Sequence, residues 1–169
     1  MKLSGACLFC IAALYVGIIK ANELKNSTVL LREIISFLTL MKNEICTRRT
    51  PVKEIIKTAC VMKYTFLSDF LHRLSDSFPM LGEKSFGELW AESVDERLVK
   101  LPEPLSTELK KLGCSIGRYD SELQAESIEN CMAAFSEELH AKASSLASNQ
   151  KLSVCLTLSA GLIVTILLI

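Results

Sequence analysis

Between Asn22 and Lys151, apolar side chains return every three or four positions with charged residues between them, the spacing of amphipathic helices. Leu24, Leu31, Ile34, Ile35, Leu38, Met41 and Ile45, interleaved with Glu23, Arg32, Glu33, Lys42 and Glu44, predict a helix from Asn22 to Cys46. Thr50 as N-cap and Pro51 as first helical residue predict the start of a second, carrying Val52, Ile55, Ile56, Ala59 and Cys60 on one side. A third is expected from Tyr64 to Phe78, burying Phe66, Leu67, Phe70, Leu71 and Leu74 and ending at Pro79 and Gly82. Ser85 and Glu88 have capping-box spacing, ahead of Phe86, Leu89, Trp90, Val94 and Leu98. Pro102 and Pro104 predict a bend before a helix from Ser106 to Ile116, with Gly117 as its C-cap. Asp120 then caps a long last helix with Leu123, Ile128, Cys131, Met132, Phe135, Leu139 and Leu146 on one face and Glu122, Glu126, Glu129, Glu137 and Glu138 elsewhere. No stretch alternates with the two-residue period of a strand, so the expected fold is all-α, a bundle of five or six helices.

Two uncharged runs flank this pattern. Leu152 to Ile169 holds six Leu, three Ile and two Val; as a helix it spans about 27 Å, close to the roughly 30 Å hydrocarbon core of a bilayer. Leu3 to Ile19, bracketed by Lys2 and Lys20, reads as a second span or a secretory signal peptide. A cut after Ala21 would put Ile19 and Lys20 before it, with the bulky Ile19 at the minus-three position where a small residue is wanted, a poor match that favours an uncleaved anchor. The expected organisation is an N-terminal transmembrane helix (1–20), a helical domain (21–151) and a C-terminal transmembrane helix (152–169). Lys20, Lys25, Arg32, Lys142 and Lys151 all lie on the domain side of these runs, so the domain is expected in the cytoplasm and both ends outside. Ser153, Thr157, Gly161 and Thr165, every four residues, form a small or hydroxylic stripe, with Ala13 and Gly17 in the other run; Gly161 is a candidate for close packing between membrane helices.

The charge balance, 19 basic against 19 acidic residues intermixed along the domain, argues against a nucleic-acid groove. Cys46, Cys60, Cys114 and Cys131 are too widely spaced to suggest a zinc site and read as free thiols of a reducing compartment. The Cys7–Cys10 pair falls in an apolar run, where packing explains it better than redox chemistry. His72 and His140 have no second ligand nearby on their own helices, the adjacent Glu137 and Glu138 fit a solvated face, and no glycine-rich phosphate loop is present. Nothing in this pattern calls for catalysis, metal or a cofactor.

The segment Leu112-Gly113-Cys114-Ser115-Ile116-Gly117-Arg118-Tyr119-Asp120, followed by Gln124 and Ile128, resembles a signature of the stage III sporulation protein AB family. So do Glu44-Ile45 ahead of Thr50-Pro51-Val52, the position of Trp90, and Ala160-Gly161-Leu162 within the final run. Together these marks extend over nearly the whole chain. Cys46 stands where the family usually has an aromatic residue, Val52 replaces Leu, and Ile116 replaces Leu before the second glycine.

The resemblance implies a membrane component of the machinery that connects mother cell and forespore during endospore formation. That family is similar to the inner-membrane platform protein of type II secretion and type IV pilus systems, whose helical cytoplasmic domains meet a hexameric ATPase. The partners it implies are a stage III sporulation protein AA-type ATPase, other membrane subunits of the complex and the lipid bilayer, with the domain on the mother-cell side of the outer forespore membrane. A membrane-tethered helical scaffold for other partners is the alternative. In physical terms, Gly117 can adopt the left-handed conformation that ends a helix, Asp120 can accept the first amides of the next, Gly113 permits close helix approach, and Gln124 lies one turn past Asp120. Glu44, Thr50, Pro51, Trp90, Gly113, Gly117, Asp120 and Gln124 are thus the candidate motif residues, expected to pin the architecture rather than touch a partner directly.

Overall fold

The computed structural model describes residues 2–117, 120 and 122–144, with side chains at Ile19 and, within that set, from Asn22 onward. Among the described residues the fold is all-helical, six α-helices with no strand. They are α1 (Lys2–Asn43), α2 (Val52–Val61), α3 (Ser68–Asp76), α4 (Phe86–Arg97), α5 (Glu103–Ser115) and α6 (residues 122–144). A π-helical turn, Glu44–Arg48, follows α1, and a 3-10 turn, Phe78–Met80, follows α3.

The chain divides into two units, one of Val29–Glu138 and one of Met1–Thr28 with Leu139–Ile169. In the second, the Lys142 ammonium donates to Ser27 Oγ, and the Thr28 hydroxyl to the Lys25 carbonyl. Leu152–Ile169, with Gly161, lies outside the described residues, as do the side chains of residues 1–18. Among the described residues no helix is long and apolar enough to cross a membrane.

The core of the larger unit is the apolar stripe of each helix turned inward. Leu31, Ile34, Phe37, Leu38 and Met41 of α1 are buried with Ile55 and Ile56 of α2, Phe70, Leu71 and Leu74 of α3, Leu89, Trp90 and Val94 of α4, Leu105, Leu109 and Leu112 of α5, and Ile128, Cys131 and Phe135 of α6. Polar groups close the helix ends. Ser85 and Glu88 form the expected capping box. On the surface, Arg73 of α3 grips Glu96 of α4 at 2.6 and 3.2 Å, and its guanidinium holds the Glu96 carboxyl below the ordinary carboxylate range. Lys110 of α5 pairs with Asp95 of α4, and Lys42 of α1 with Glu129 of α6. Such exposed pairs are screened by solvent and add little to stability; they fix register.

Four expectations need correction. Pro51, extended at ψ 138°, precedes the first helical residue, and its carbonyl accepts from the Ile55 amide; Thr50 is therefore one residue too early to cap α2, and its hydroxyl turns back to Glu44. The helix expected from Tyr64 begins only at Ser68, because the Thr65, Phe66 and Leu67 amides are taken by the Glu33 carboxylate of α1 at 2.7, 2.8 and 3.0 Å. Phe66 in that loop is exposed. The prolines expected to bend the chain instead start α5 at Glu103: Pro102 is its N-cap and Pro104 falls in the first turn, where a missing amide costs nothing. Leu123, in the first turn of α6, faces solvent rather than the core.

Glu33 is thus a cap lent by one helix to another. Replacing Glu33 by Gln weakens a charged acceptor shared by three backbone donors, and Glu33→Ala removes it. Interactions of this kind are worth about 1–3 kcal/mol, so Glu33→Ala should lower the midpoint of thermal unfolding of the full chain in detergent, followed by circular dichroism, with Glu33→Gln between it and the parent. Equal midpoints for all three would mean that water serves those amides equally well.

Candidate functional site

Trp90, the single tryptophan of the chain, is fully buried on α4. Its Nε1–H donates to the Leu109 carbonyl of α5 at 2.8 Å, so its one polar atom is satisfied inside the core. Phe70 meets the ring edge-on at 5.2 Å, Phe37 stacks at 6.2 Å and Phe86 lies tilted at 5.7 Å. Gly113 of α5 lies flat against the indole: a Cβ there would stand 2.2 Å from Trp90 Cδ1. One turn of α4 earlier, a Cβ on Gly87 would stand 3.0 Å from the Cys114 Cα. Two glycines on facing helices thus let α4 and α5 approach until the indole fills the space between them.

That packing fixes where α5 ends. Ile116 turns extended and is buried, and Gly117 takes φ +79°, a left-handed value that glycine adopts without a Cβ clash. The Gly117 amide donates to Gln124 Oε1 at 3.3 Å, and the Gln124 amide donates to the Asp120 carbonyl at 3.0 Å. Gln124 therefore ties the end of α5 to the start of α6, and Asp120 supplies the carbonyl that begins α6.

The end of α1 comes to the same place. Its last turn widens into the π-helical Glu44–Arg48, and Arg49 follows at φ 53°, ψ 34°, the left-handed region, with its amide on the Glu44 carbonyl. Thr50 closes the loop twice on one residue: its amide donates to the Glu44 carbonyl at 3.1 Å and its hydroxyl to the Glu44 carboxylate at 2.7 Å. Arg48 reaches the other carboxylate oxygen at 2.8 Å. The outcome is a surface groove of about 220 Å³ lined by Ile45, Arg49, Thr50, Pro51, Val52, Gly117 and Gln124.

Four of the candidate residues, Thr50, Pro51, Gly117 and Gln124, therefore line one groove although up to 74 positions separate them in sequence. Glu44 holds Thr50 from outside the lining; Trp90 and Gly113 pack against each other in the core and do not line the groove. Arg49 is absent from the sequence-derived set, and its left-handed backbone had no signal there, since neither glycine nor asparagine occupies the position. Phe37 and Gly87 were missed as well; Phe37 fits the apolar stripe of α1 on spacing alone.

The titratable groups elsewhere are dispersed. Cys46, Cys60, Cys114 and Cys131 are free thiols. Burial pushes the Cys131 thiol up to about 12, with Glu108 adding to the effect, so it stays protonated and unreactive at neutral pH. His72 and His140 are exposed. Among the described residues no group of three or more His, Cys, Asp or Glu could hold a metal ion.

If Gly113 serves the fit to Trp90, Gly113→Ala overpacks the core at a cost of about 1–3 kcal/mol and displaces the indole. The emission of the lone tryptophan in the full chain should shift to the red and the unfolding midpoint should fall. An unshifted spectrum would mean that α5 moves aside without disturbing the ring.

No curated protein and no solved structure matches the chain. The family described as stage III sporulation protein AB matches it over residues 2–169. With Trp90, the two turn motifs and the groove they build in place, the chain belongs to the stage III sporulation protein AB family, and that membership implies a sporulation-related role.

Proposed function

We propose that this protein is a non-enzymatic membrane adaptor of a sporulation-specific secretion-type complex, carrying its helical domain on the cytoplasmic, mother-cell side and coupling it to a stage III sporulation protein AA-type ATPase. The observation that carries this reading is that two of the motifs that resemble the family's, Thr50-Pro51 and the turn from Gly117 to Gln124, meet at one open surface groove rather than around a closed pocket. A surface of that kind suits a partner better than a small substrate. Leu3–Ile19 and Leu152–Ile169 serve as the two membrane anchors, with Lys20 and Lys151 at their cytoplasmic edges, and the domain between them is held at both ends. Adaptors of this kind work by position: the partner's energy is delivered to whatever the membrane segments touch.

The test is affinity capture of the tagged full chain from detergent-solubilised sporulating cells, with a clean deletion strain in parallel. The AA-type ATPase should co-purify, and the deletion should stop sporulation after engulfment begins. Normal spore yield from the deletion contradicts the reading. Capture of other membrane proteins without the ATPase replaces it with a scaffold for different partners.

A further inference from the structure

The corner between α1 and α2 is made without the groups that ordinarily make one. The apolar stripe of α1 buries Ile34, Leu38, Met41 and Ile45, so a further α-helical turn would bring Arg48 and Arg49, three and four positions on, to the same buried face. The helix has to stop, yet from Glu44 to Thr50 there is no glycine, asparagine or proline to stop it. Apolar burial does not hold the corner either, because Cys46, Thr47, Arg48 and Arg49 are all exposed.

One residue holds it. The Arg49 and Thr50 amides both donate to the Glu44 carbonyl, and Arg48 Nη1 and Thr50 Oγ1 each donate to one oxygen of its carboxylate. The Glu44 side chain is 17% exposed against 73% for Arg48, so the carboxylate meets these donors largely shielded from water. The backbone works against these bonds. The turn Glu44–Arg48 is π-helical, and Arg49 sits at φ 53°, where Cβ crowds the carbonyl oxygen that follows. Among the described residues Arg49 is the single non-glycine with positive φ. Two unfavourable conformations in succession, opposed by polar bonds to one residue, make a segment that opens more readily than the helices it joins unfold.

We infer that the corner from Glu44 to Thr50 is a latch. It opens and closes as a unit of its own while the surrounding helices stay packed, and in opening it withdraws Thr50 and Pro51 from the wall they share with Gly117 and Gln124. The groove therefore exists in the latched state and is remade in the open one. Anything that binds there favours the latched state, so the latch equilibrium sets the apparent affinity of the groove. The inference goes beyond the adaptor reading and stands without it.

Hydrogen–deuterium exchange of the detergent-solubilised full chain, resolved to single amides, tests it. In the parent, the Arg49 and Thr50 amides should exchange faster than the Trp90 amide of α4. Glu44→Ala removes the carboxylate and should speed exchange at Arg49 and Thr50 roughly tenfold, the loss of one charge-assisted bond. The Gly117 amide, at the same groove, should speed up with them. Thr50→Val, which keeps the shape and removes the hydroxyl, should act in the same direction and reports on the latch if Glu44→Ala fails to fold. Arg49→Gly keeps the left-handed turn without a Cβ and should slow exchange at residues 49 and 50 about threefold, since relief of strain outweighs the freedom glycine adds to the open state. Trp90 should be unaffected in every variant. Acceleration at Trp90 in step with Thr50, unchanged exchange at Arg49 and Thr50 in Glu44→Ala and Thr50→Val, faster exchange in Arg49→Gly, or a Gly117 amide indifferent to the latch variants overturns the inference.

Discussion

An indole has to be accommodated between two helices, and the larger unit is arranged around that requirement. Trp90 can be fully buried only if its Nε1–H finds an acceptor and its ring finds room. Leu109 supplies the carbonyl, and Gly113, one turn later on the same helix, supplies the room. The arrangement serves as a gauge: α4 and α5 are held at the thickness of one ring, and the aromatic neighbours Phe37 and Phe70 attach α1 and α3 to the same point. Edge-on and stacked contacts of this type add about 0.5–1.5 kcal/mol each beyond area burial.

From that point outward, polar groups translate core geometry into surface geometry. The length of α5 beyond Gly113 sets where Gly117 turns, and Gln124 ties the start of α6 to that turn. On α1 and the π-helical turn that follows it, two carboxylates act on later segments: Glu33 receives the loop before α3, and Glu44 receives Thr50 before α2. α1 and its continuing turn therefore organise their neighbours through acids as much as through the apolar stripe. The groove is the place where the Glu44 loop and the Gly117 turn meet.

Most of the fold was legible because helical periodicity survives in any chain whose helices bury one face. The capping box at Ser85 and Glu88 and the existence of each helix followed from local chemistry. The helix starts misread at Tyr64 and Thr50 share a cause: a carboxylate more distant in sequence captured the groups that local rules assign to the helix. Glu33 appears in the sequence only as one more charge on an amphipathic face. Leu123 fits the helical stripe but lies in the first turn of α6, where packing has not yet closed around it. At the candidate site the motif residues could be named, and Gly113 and Trp90 could be placed in helices, but not their contact. That Thr50 and Gln124 line the same groove, and that Arg49 turns left-handed between them, depends on tertiary closure, which no local pattern encodes.

The central proposal is that the groove lined by Arg49, Pro51, Gly117 and Gln124 is where the protein meets a partner. Site-specific photocrosslinking in sporulating cells addresses it without purification, with a photoreactive amino acid at Pro51 in one strain and at Val99, exposed and outside the groove, in another. The account predicts an adduct with the AA-type ATPase from Pro51 and none from Val99. An ATPase adduct from Val99 with none from Pro51 would contradict it.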